Sequence, residues 1–361
     1  MIKEMKTFRL IGLMSGTSLD GLDIADVSFS LIDDQKWTFS VNHAKTVAYS
    51  DSFRKELISA PKMSGEELGL LSVKLAKFYA EQVNLFISTN DISRTDIYAL
   101  SSHGQTIFHQ PEKSFTQQIG NLPHLATLTG LKVITDFRTK DVALGGTGAP
   151  LIPLVDHSLF ANEAEAFLNL GGFSNLSYRK NGIVYSFDVG PANIVVNHLM
   201  QTDLGQSMDV RGQLARSGKL DVGLFDSLNS LDYFKLNGPK SLGWEWVEKE
   251  ILPMMEKDIG IENKLHTYIK HVSYQLAKSF ENCGAKSVYV TGGGVYNDFL
   301  IECMKEEFKG DLIIPDKEII EFKEAIGFAF LGLLRSLEEV NVLSSVTGAK
   351  IDSCSGVIFE P

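Results

Sequence analysis

The sequence has few cysteines, no long apolar run and no excess of positive charge, and each of these absences excludes a class of protein. Its 361 residues contain three scattered cysteines and no C-x-x-C pair, so neither a disulfide framework nor a thiolate zinc site is predicted. The longest apolar run, residues 325–334, is far shorter than the roughly 20 residues that span a bilayer. The net charge of −11 argues against nucleic acid and against an anionic membrane surface as partners.

Several catalytic and targeting signatures are missing as well. The sequence has no H-E-x-x-H, no G-x-S-x-G and no Cys/His constellation, so zinc proteases and serine hydrolases of those types lack support. The short apolar run at residues 10–14 cannot form the core of a secretory signal. We therefore expect a cytoplasmic protein.

Strand and helix patterns alternate along the chain, which predicts an α/β fold. An apolar strand followed by a glycine turn and a second strand occurs near residue 16 and again near residue 171, which predicts two related domains around a cleft. The glycine-rich stretch 145–150 is a candidate boundary, and Pro191 suits the first turn of a helix. The predicted strands are 8–14, 24–32, 97–102, 132–135, 164–170, 183–187 and 287–291. The first predicted helix is capped by Ser64 and Glu67, and the later ones are 194–200, 244–255, 265–280 and 323–337.

Three glycine turns follow apolar strands, at Gly16, at Gly171–Gly172 and at residues 292–294. Glycine lets a backbone approach an anion closely and present its N–H groups. A P-loop is not supported, because Leu22 stands where the motif requires lysine, and the third turn lacks the last glycine of a dinucleotide fingerprint. Each turn alone is consistent with plain tight-turn geometry, but three at strand ends indicate a nucleotide site.

Four carboxylates accompany these patterns, and two of them have two interpretations. Asp20 and Asp23 flank Gly21, where a carboxylate near phosphates typically binds magnesium or water. Asp188 ends a predicted strand ahead of a helix and is either a general base or a helix N-cap. Glu324 lies in the first turn of a predicted apolar helix, where it is either functional or a favourable acid at the helix N-terminus.

Polar residues also follow two other predicted strands. His103 and Gln105 lie in the run 101–106, which is either part of a ligand site or a capping loop with a hydrogen-bonded histidine. Arg138 follows Asp136 and can grip a substrate carboxylate with two hydrogen bonds, or it forms an ion pair with a neighbouring Asp.

Seven stretches carry a more specific signal. They are LIGLMSGTSLDGLD (10–23), SSHGQT (101–106), DFRTKDVALGGTGAPLIP (136–153), LNLGGFSN (168–175), FDVGPAN (187–193), VTGGGVYN (290–297) and EAIGFAFLGLL (324–334). In this order they resemble the anhydro-N-acetylmuramic acid kinase family over essentially the whole chain. The MSGTSLDG stretch is the most specific, because the glycine turns alone point only to the wider superfamily of sugar kinases, actin and heat-shock ATPases.

The resemblance implies an α/β fold with two ribonuclease-H-like (actin-like ATPase) domains around a central nucleotide cleft. We place the first domain at residues 1–137 with 335–361, and the second, with the catalytic aspartate and the adenosine loop, at 138–334. The residues implied to bind ATP are Gly16, Thr17, Ser18, Leu19, Asp20, Gly21, Leu22, Asp23, Gly171, Gly172, Asn175, Gly292, Gly293 and Gly294. Asp188 and Glu324 are implied as catalytic, His103, Gln105 and Arg138 as substrate-binding, and Asp20 and Asp23 as ligands of Mg²⁺, directly or through water.

The implied reaction opens the 1,6-anhydro ring of anhydro-N-acetylmuramic acid and phosphorylates the freed 6-oxygen, in peptidoglycan recycling. A homodimer is expected from the family. The chain departs from the family's usual residues at Thr147, Val189, Ala192, Leu242 and Trp244. These departures leave open a kinase of the same fold for a different amino- or anhydro-sugar, or a non-catalytic sugar or nucleotide sensor.

Overall fold

The computed structural model describes residues 6–16, 18–33, 36–236, 238 and 240–361. They form a mixed α/β structure with two separate sheets. Two compact units divide the chain: unit 1 comprises Met1–Leu159 with Phe322–Pro361, and unit 2 comprises Phe160–Glu321. The predicted α/β class is confirmed.

Strands and helices are numbered separately along the chain. The strands are Lys6–Ser15 (β1), Gly21–Asp33 (β2), Lys36–Ala48 (β3), Ala99–Gln110 (β4), Phe115–Ile119 (β5), Val133–Thr135 (β6), Ala166–Leu170 (β7), Phe173–Lys180 (β8), Ile183–Pro191 (β9), Ser287–Thr291 (β10), Asp311–Ile313 (β11) and Val357–Phe359 (β12). The helices are Asp51–Ser59 (α1), Gly65–Thr89 (α2), His124–Thr129 (α3), Thr139–Ala143 (α4), Ile152–Leu159 (α5), Asn193–Leu204 (α6), Gln213–Ser217 (α7), Val222–Ser230 (α8), Trp244–Trp246 (α9), Leu252–Met255 (α10), Ile261–Cys283 (α11), Asp298–Glu307 (α12), Lys317–Ser336 (α13) and Ser344–Thr347 (α14).

The sheet of unit 1 has the order β12-β6-β4-β1-β2-β3, and β5 pairs with β4. Strands β1, β2 and β3 are antiparallel neighbours, whereas β4 pairs in parallel with β1 and β6. The glycine turn at Gly16 therefore joins the first hairpin. Helix α2 begins with the predicted capping box, in which the backbone N–H of Ser64 donates to the Glu67 carboxylate at 2.7 Å.

The sheet of unit 2 repeats this plan with the order β11-β10-β7-β8-β9. Strands β7, β8 and β9 are antiparallel neighbours, and β10 pairs in parallel with β7 and β11. In both units the first strand thus has an antiparallel partner on one side and a parallel partner on the other. The strands β3-β2-β1-β4-β6 of unit 1 correspond to β9-β8-β7-β10-β11 of unit 2, and β5 and β12 are additions to unit 1. This shared order is the ribonuclease-H-like arrangement that the resemblance implied.

The unit boundaries differ from the predicted domain boundaries. Helices α4 and α5 belong to unit 1 because Asp141 accepts a hydrogen bond from Thr347 at 2.8 Å and Asp156 pairs with Lys323 at 2.8 Å. Most of α13 belongs to unit 1 for the same reason, since the Ser101 hydroxyl of β4 donates to the carbonyl of Phe328. The division after Leu159 and inside α13 could not be placed from loop composition.

Two local predictions were wrong, and the helix predicted over 244–255 is present. Pro191 ends strand β9 and does not begin a helix; α6 begins at Asn193. The helix over 244–255 is continuous, with a π-helical turn, Val247–Ile251, between α9 and α10. Helix α13 begins at Lys317, so Glu324 lies two turns inside it and not in its first turn.

Candidate active site

The first glycine turn joins β1 to β2 in unit 1. The backbone N–H of Leu19 donates to the carbonyl of Gly16 at 3.2 Å, and Leu19 has a left-handed conformation with φ of 56°. At Gly16 a Cβ would come no closer than 3.7 Å to another atom, the Ser18 hydroxyl oxygen, so packing does not require glycine there. The space beside the backbone is therefore open, as a phosphate cradle requires.

Not every residue of this turn can face a ligand with its side chain. Leu19 and Leu22 are buried in the hydrophobic core of unit 1, so only their backbones remain available. A Cβ at Gly21 would overlap the carbonyl oxygen of Val47, so this glycine is explained by the approach of β3. Thr17 lies outside the described residues.

The two predicted metal ligands differ in their surroundings. Asp20 is exposed, whereas Asp23 is half-buried and accepts a hydrogen bond of 2.5 Å from the Thr46 hydroxyl, its cross-strand partner on β3. Within the described ranges no cluster of three or more His, Cys, Asp or Glu side chains is arranged to hold a metal. Two carboxylates beside a candidate phosphate site fit Mg²⁺, which keeps several waters and takes phosphate oxygens as ligands.

Gln105 lies beside the same turn, because it pairs in parallel with Ser15. Its side-chain carbonyl accepts a hydrogen bond from the Ser15 hydroxyl at 2.5 Å, and the Ser15 hydroxyl oxygen lies 2.7 Å from the Tyr49 hydroxyl. All three side chains are buried. The amide of Gln105 thus supports the end of β1 from inside the protein.

His103 and Arg138 form one hydrogen-bonded group in unit 1. Nε and Nη2 of Arg138 lie 3.1 and 2.9 Å from Nε2 of His103, and Nη1 donates to the carbonyl of Gly148 at 2.7 Å. Nδ1 of His103 lies 2.9 Å from the carbonyl of Gly104, so the ring donates there and accepts from Arg138. Burial, together with the Arg138 charge, lowers the pKa of His103 to about 3 and keeps the ring neutral.

These contacts show which protein groups the two side chains bind. His103 is a buried, hydrogen-bonded histidine whose polar atoms are occupied by protein groups. In the described part of the chain Arg138 pairs with His103 and Gly148, not with an aspartate. Its bonds use three of the five guanidinium N–H groups, which leaves one on Nη1 and one on Nη2.

Glu324 is an exposed residue of α13. Desolvation by the surrounding protein raises the pKa of Glu324, while Lys323 and Arg138 oppose this rise. Its position two turns inside α13 excludes the interpretation as a helix N-terminal acid.

Asp188 lies in unit 2, inside β9 and not at a helix start. Its Oδ1 accepts a hydrogen bond from Nδ2 of Asn175 at 3.0 Å, and its Oδ2 accepts from the backbone N–H of Leu242 at 3.1 Å. The Tyr233 hydroxyl donates to its backbone carbonyl at 2.6 Å. Burial raises the pKa of Asp188, although the bonds from Asn175 and Leu242 oppose this. The N-cap interpretation is wrong, since Ala192 occupies the N-cap of α6.

The two glycine turns of unit 2 lie at the ends of β7 and β10. At the start of α6, the backbone N–H of Asn193 donates to the carbonyl of Gly171, and the backbone N–H groups of Ala192 and Ile194 donate to the carbonyl of Gly172. Gly292 has a φ of 88°, and a Cβ there would overlap the Asn169 side chain. Gly293 is exposed, and a Cβ there would meet nothing within 4 Å, whereas at Gly294 it would lie 2.7 Å from Leu170. Gly293 is therefore the position of this turn where space is open.

Three contributors to the surroundings of Asp188 were not predicted: Ser186, Tyr233 and Leu242. Ser186 carried a usable signal, because residues two apart on a strand share one face and Ser186 precedes Asp188 by two. Tyr233 and Leu242 lie 45 and 54 residues downstream, and no local pattern connects them to Asp188.

Comparison with known proteins assigns the chain to a family. The profile described as anhydro-N-acetylmuramic acid kinase matches residues 8–361. The chain belongs to the anhydro-N-acetylmuramic acid kinase family. A protein named anhydro-N-acetylmuramic acid kinase from Shewanella loihica is 34% identical over 97% of this chain and 98% of its own length. One of the same name from Nitrosomonas europaea is 33% identical over 97% and 99%.

Membership of the anhydro-N-acetylmuramic acid kinase family confirms the predicted resemblance and the predicted enzyme class, a phosphotransferase. Among solved structures, a ROK hexokinase from Thermus thermophilus aligns with 90% of this chain and all of that one, at 13% identity and a TM-score of 0.43. That likeness is too low to add to the assignment. In the described residues no helix is long and apolar enough to cross a membrane.

Proposed function

We propose that the protein uses ATP and water to convert 1,6-anhydro-N-acetylmuramic acid into N-acetylmuramic acid 6-phosphate and ADP, a step of peptidoglycan recycling. The observation that carries the proposal is the setting of Asp188. A half-buried carboxylate, oriented through both oxygens and with a raised pKa, is suited to take a proton near neutral pH. It is also the position that the family resemblance implied as catalytic.

The proposed chemistry assigns Asp188 the first proton transfer. Asp188 takes a proton from a water molecule as the water oxygen bonds to the anomeric carbon. The bond from that carbon to the 6-oxygen breaks, and its electron pair stays on the 6-oxygen. That oxygen attacks the γ-phosphorus of ATP and ADP leaves, so Asp188 ends protonated and releases its proton to solvent.

ATP is proposed to bind at the three glycine turns. Gly16 and Gly293 support this, because the space beside their backbones is open and neither position requires glycine for its own packing or a positive φ. Asp20 and Asp23 are the residues proposed to hold Mg²⁺, directly or through water. When bound, Mg²⁺ offsets charge on the phosphates.

The sugar is proposed to contact Arg138 through its lactyl carboxylate. The two N–H groups that remain on Nη1 and Nη2 are suited to a bidentate carboxylate contact. Glu324, exposed and with a raised pKa, is proposed to orient the attacking water or a sugar hydroxyl. Gln105 is proposed to act through the turn it supports.

The departures from the family's usual residues are compatible with this substrate at three positions. Val189 and Ala192 are buried in the core of unit 2, so their side chains affect packing and offer no contact to a sugar. The Thr147 hydroxyl donates to the backbone carbonyl of Ala149 at 2.6 Å and also lies 3.0 Å from the carbonyl of Thr347, so Thr147 holds its own loop.

A coupled ADP-release assay with ATP, Mg²⁺ and 1,6-anhydro-N-acetylmuramic acid tests the proposal, with the product identified by mass. We expect a product heavier than the sugar by both water and phosphate. We expect Asp188→Asn to lose turnover and still bind ATP. Wild-type protein that binds ATP and releases no ADP above the sugar-free blank would favour a different sugar or a sensor, and normal turnover by Asp188→Asn would exclude Asp188 as the base.

A further inference from the structure

The Asp188 carboxylate is reached by a chain of two hydrogen bonds across the β8–β9 hairpin. The Ser186 hydroxyl donates to Oδ1 of Asn175 at 2.8 Å, and Nδ2 of Asn175 donates to Oδ1 of Asp188 at 3.0 Å. The pairing of β8 with β9 is irregular between Ser174 and Asn175, which places Asn175 opposite Asp188. Ser186 is buried and Asn175 is half-buried.

The Asp188 carboxylate determines which way the Asn175 amide points, and the Ser186 hydroxyl holds the amide in that orientation. An asparagine side chain has a donor end and an acceptor end of nearly the same shape, and its neighbours select the orientation. Because a carboxylate only accepts hydrogen bonds, the amide N–H₂ faces Asp188, and the Ser186 hydroxyl donates to the amide oxygen at the other end. In the opposite orientation the amide oxygen would face the carboxylate and repel it.

We propose that Asn175 and Ser186 are positioning residues for Asp188, and that Asn175 acts on the base rather than on ATP. The inference rests on the proposed function for its catalytic readout. It replaces the expectation, implied by the resemblance, that Asn175 binds ATP. The bond from Asn175 fixes one carboxylate oxygen and the backbone N–H of Leu242 fixes the other, so the orientation of the carboxylate is set before substrate binds.

Two other titratable residues lie around Asp188 in unit 2. Tyr233 donates its hydroxyl to the Asp188 carbonyl, and the carbonyl of Lys240 accepts the Asp188 backbone N–H at 2.9 Å. The Lys240 ammonium lies 4.3 Å from the centroid of the Tyr233 ring. Burial raises the pKa of Tyr233, and burial together with the Lys278 charge lowers the pKa of Lys240. The acidic limb of a pH–rate profile therefore reports Asp188 rather than Tyr233.

The test compares Asn175→Ala and Ser186→Ala with two matched variants. Ser186→Thr keeps the hydroxyl. Ser177→Ala removes the hydroxyl directly across the hairpin from Ser186, one that is buried and has no partner among the described residues. We expect the two alanine variants at 175 and 186 to lower kcat by about tenfold, with little change in the KM for ATP. Their acidic limb should move up by about one pH unit, because loss of the donor favours protonated Asp188.

The matched variants separate positioning from packing. Ser186→Thr should retain most of kcat and the wild-type profile, and Ser177→Ala should do the same. An unchanged acidic limb in Asn175→Ala would overturn the inference, as would equal losses at Ser177 and Ser186.

A second readout does not depend on turnover. Calorimetric titration with an ATP analogue should give the same affinity for wild type and Asn175→Ala, whichever sugar the enzyme uses. A loss of affinity would identify Asn175 as an ATP ligand and overturn the inference. Absence of turnover in the wild type would instead refute the proposed function.

Discussion

Replacing Arg138 tests whether the guanidinium recognises a carboxylate on the sugar. Arg138 is fixed on one edge by neutral His103 and at Nη1 by the carbonyl of Gly148, so its remaining N–H groups have a defined direction. Burial lowers the pKa of Arg138 to about 10 and Glu324 opposes this, so the side chain is charged at neutral pH. A fixed, charged fork is better suited to a carboxylate than a flexible ammonium.

The magnitude follows from the two N–H groups that the protein leaves unused. A hydrogen bond to a charged group contributes about 1.5 kcal/mol or more, so two bonds contribute about 3 kcal/mol. That corresponds to about 100-fold in kcat/KM. Arg138→Met should lose all of this, and Arg138→Lys should lose about tenfold because the charge remains while the fork is lost.

The assay compares two sugars that differ in the lactyl group. Wild type and variants are assayed with 1,6-anhydro-N-acetylmuramic acid and with 1,6-anhydro-N-acetylglucosamine, which has no carboxylate. We expect the preference for the first sugar to shrink in Arg138→Lys and nearly vanish in Arg138→Met, with kcat/KM for the second sugar changed much less. An equal loss on both sugars would refute the reasoning, because it would mean that Arg138 maintains the loop around Gly148 rather than binding the carboxylate.

Three further changes follow from other parts of the geometry. Gly293→Val adds a side chain to open space, so ATP affinity measured by calorimetry should fall about tenfold while the melting temperature stays within about 3 °C of wild type. Gly69→Ala, also in open space but on α2, is the control, and an equal loss of ATP affinity in both variants would contradict a role of Gly293 in binding ATP. Gly12→Ala should lower the free energy of unfolding in urea by about 1–3 kcal/mol, because a Cβ there overlaps the backbone of α13; an unchanged midpoint would be inconsistent with that packing. Burial raises the pKa of Asp26, but hydrogen bonds from Arg9 and other side chains lower it below its ordinary value, so this carboxylate stabilises the fold above about pH 4 and the contribution is lost as pH falls. The melting temperature of Asp26→Asn should therefore fall less than that of wild type between pH 5 and pH 2. An equal fall in both proteins would contradict a stabilising role of the Asp26 carboxylate.

The parts of the fold that depend on neighbouring residues were predictable from sequence. The hairpins around Gly16 and Gly171 follow from period-two patterns interrupted by glycine, and the start of α2 follows from the pair Ser64 and Glu67. Strand β3 was missed, although Trp37, Phe39 and Val41 alternate with polar residues in its first half; the alternation of apolar residues is lost after Asn42, where the strand continues paired with β2. The start of α13 at Lys317 was missed because the apolar pattern becomes clear only near Phe322.

The candidate site likewise has features that the sequence predicted and features that depend on the fold. Residue types and spacing pointed to His103 and Arg138, but each was considered alone, and their mutual hydrogen bond depends on two strands meeting in the sheet. Neutral His103 is a consequence of burial and of the Arg138 charge, neither of which a sequence pattern contains.

The surroundings of Asp188 explain why a departure from the family's usual residues need not disturb the base. Leu242 lies in the segment where the family typically has other side chains, and its contact with the Asp188 carboxylate is made by the backbone N–H. Every residue except proline supplies that donor, so the identity of the side chain at 242 is free to change while the hydrogen bond remains. The Asn175 amide has no such backbone substitute, since its donor is a side-chain group at one position of β8. Substitution at 175 should therefore affect the base more than substitution of Leu242 by any residue other than proline.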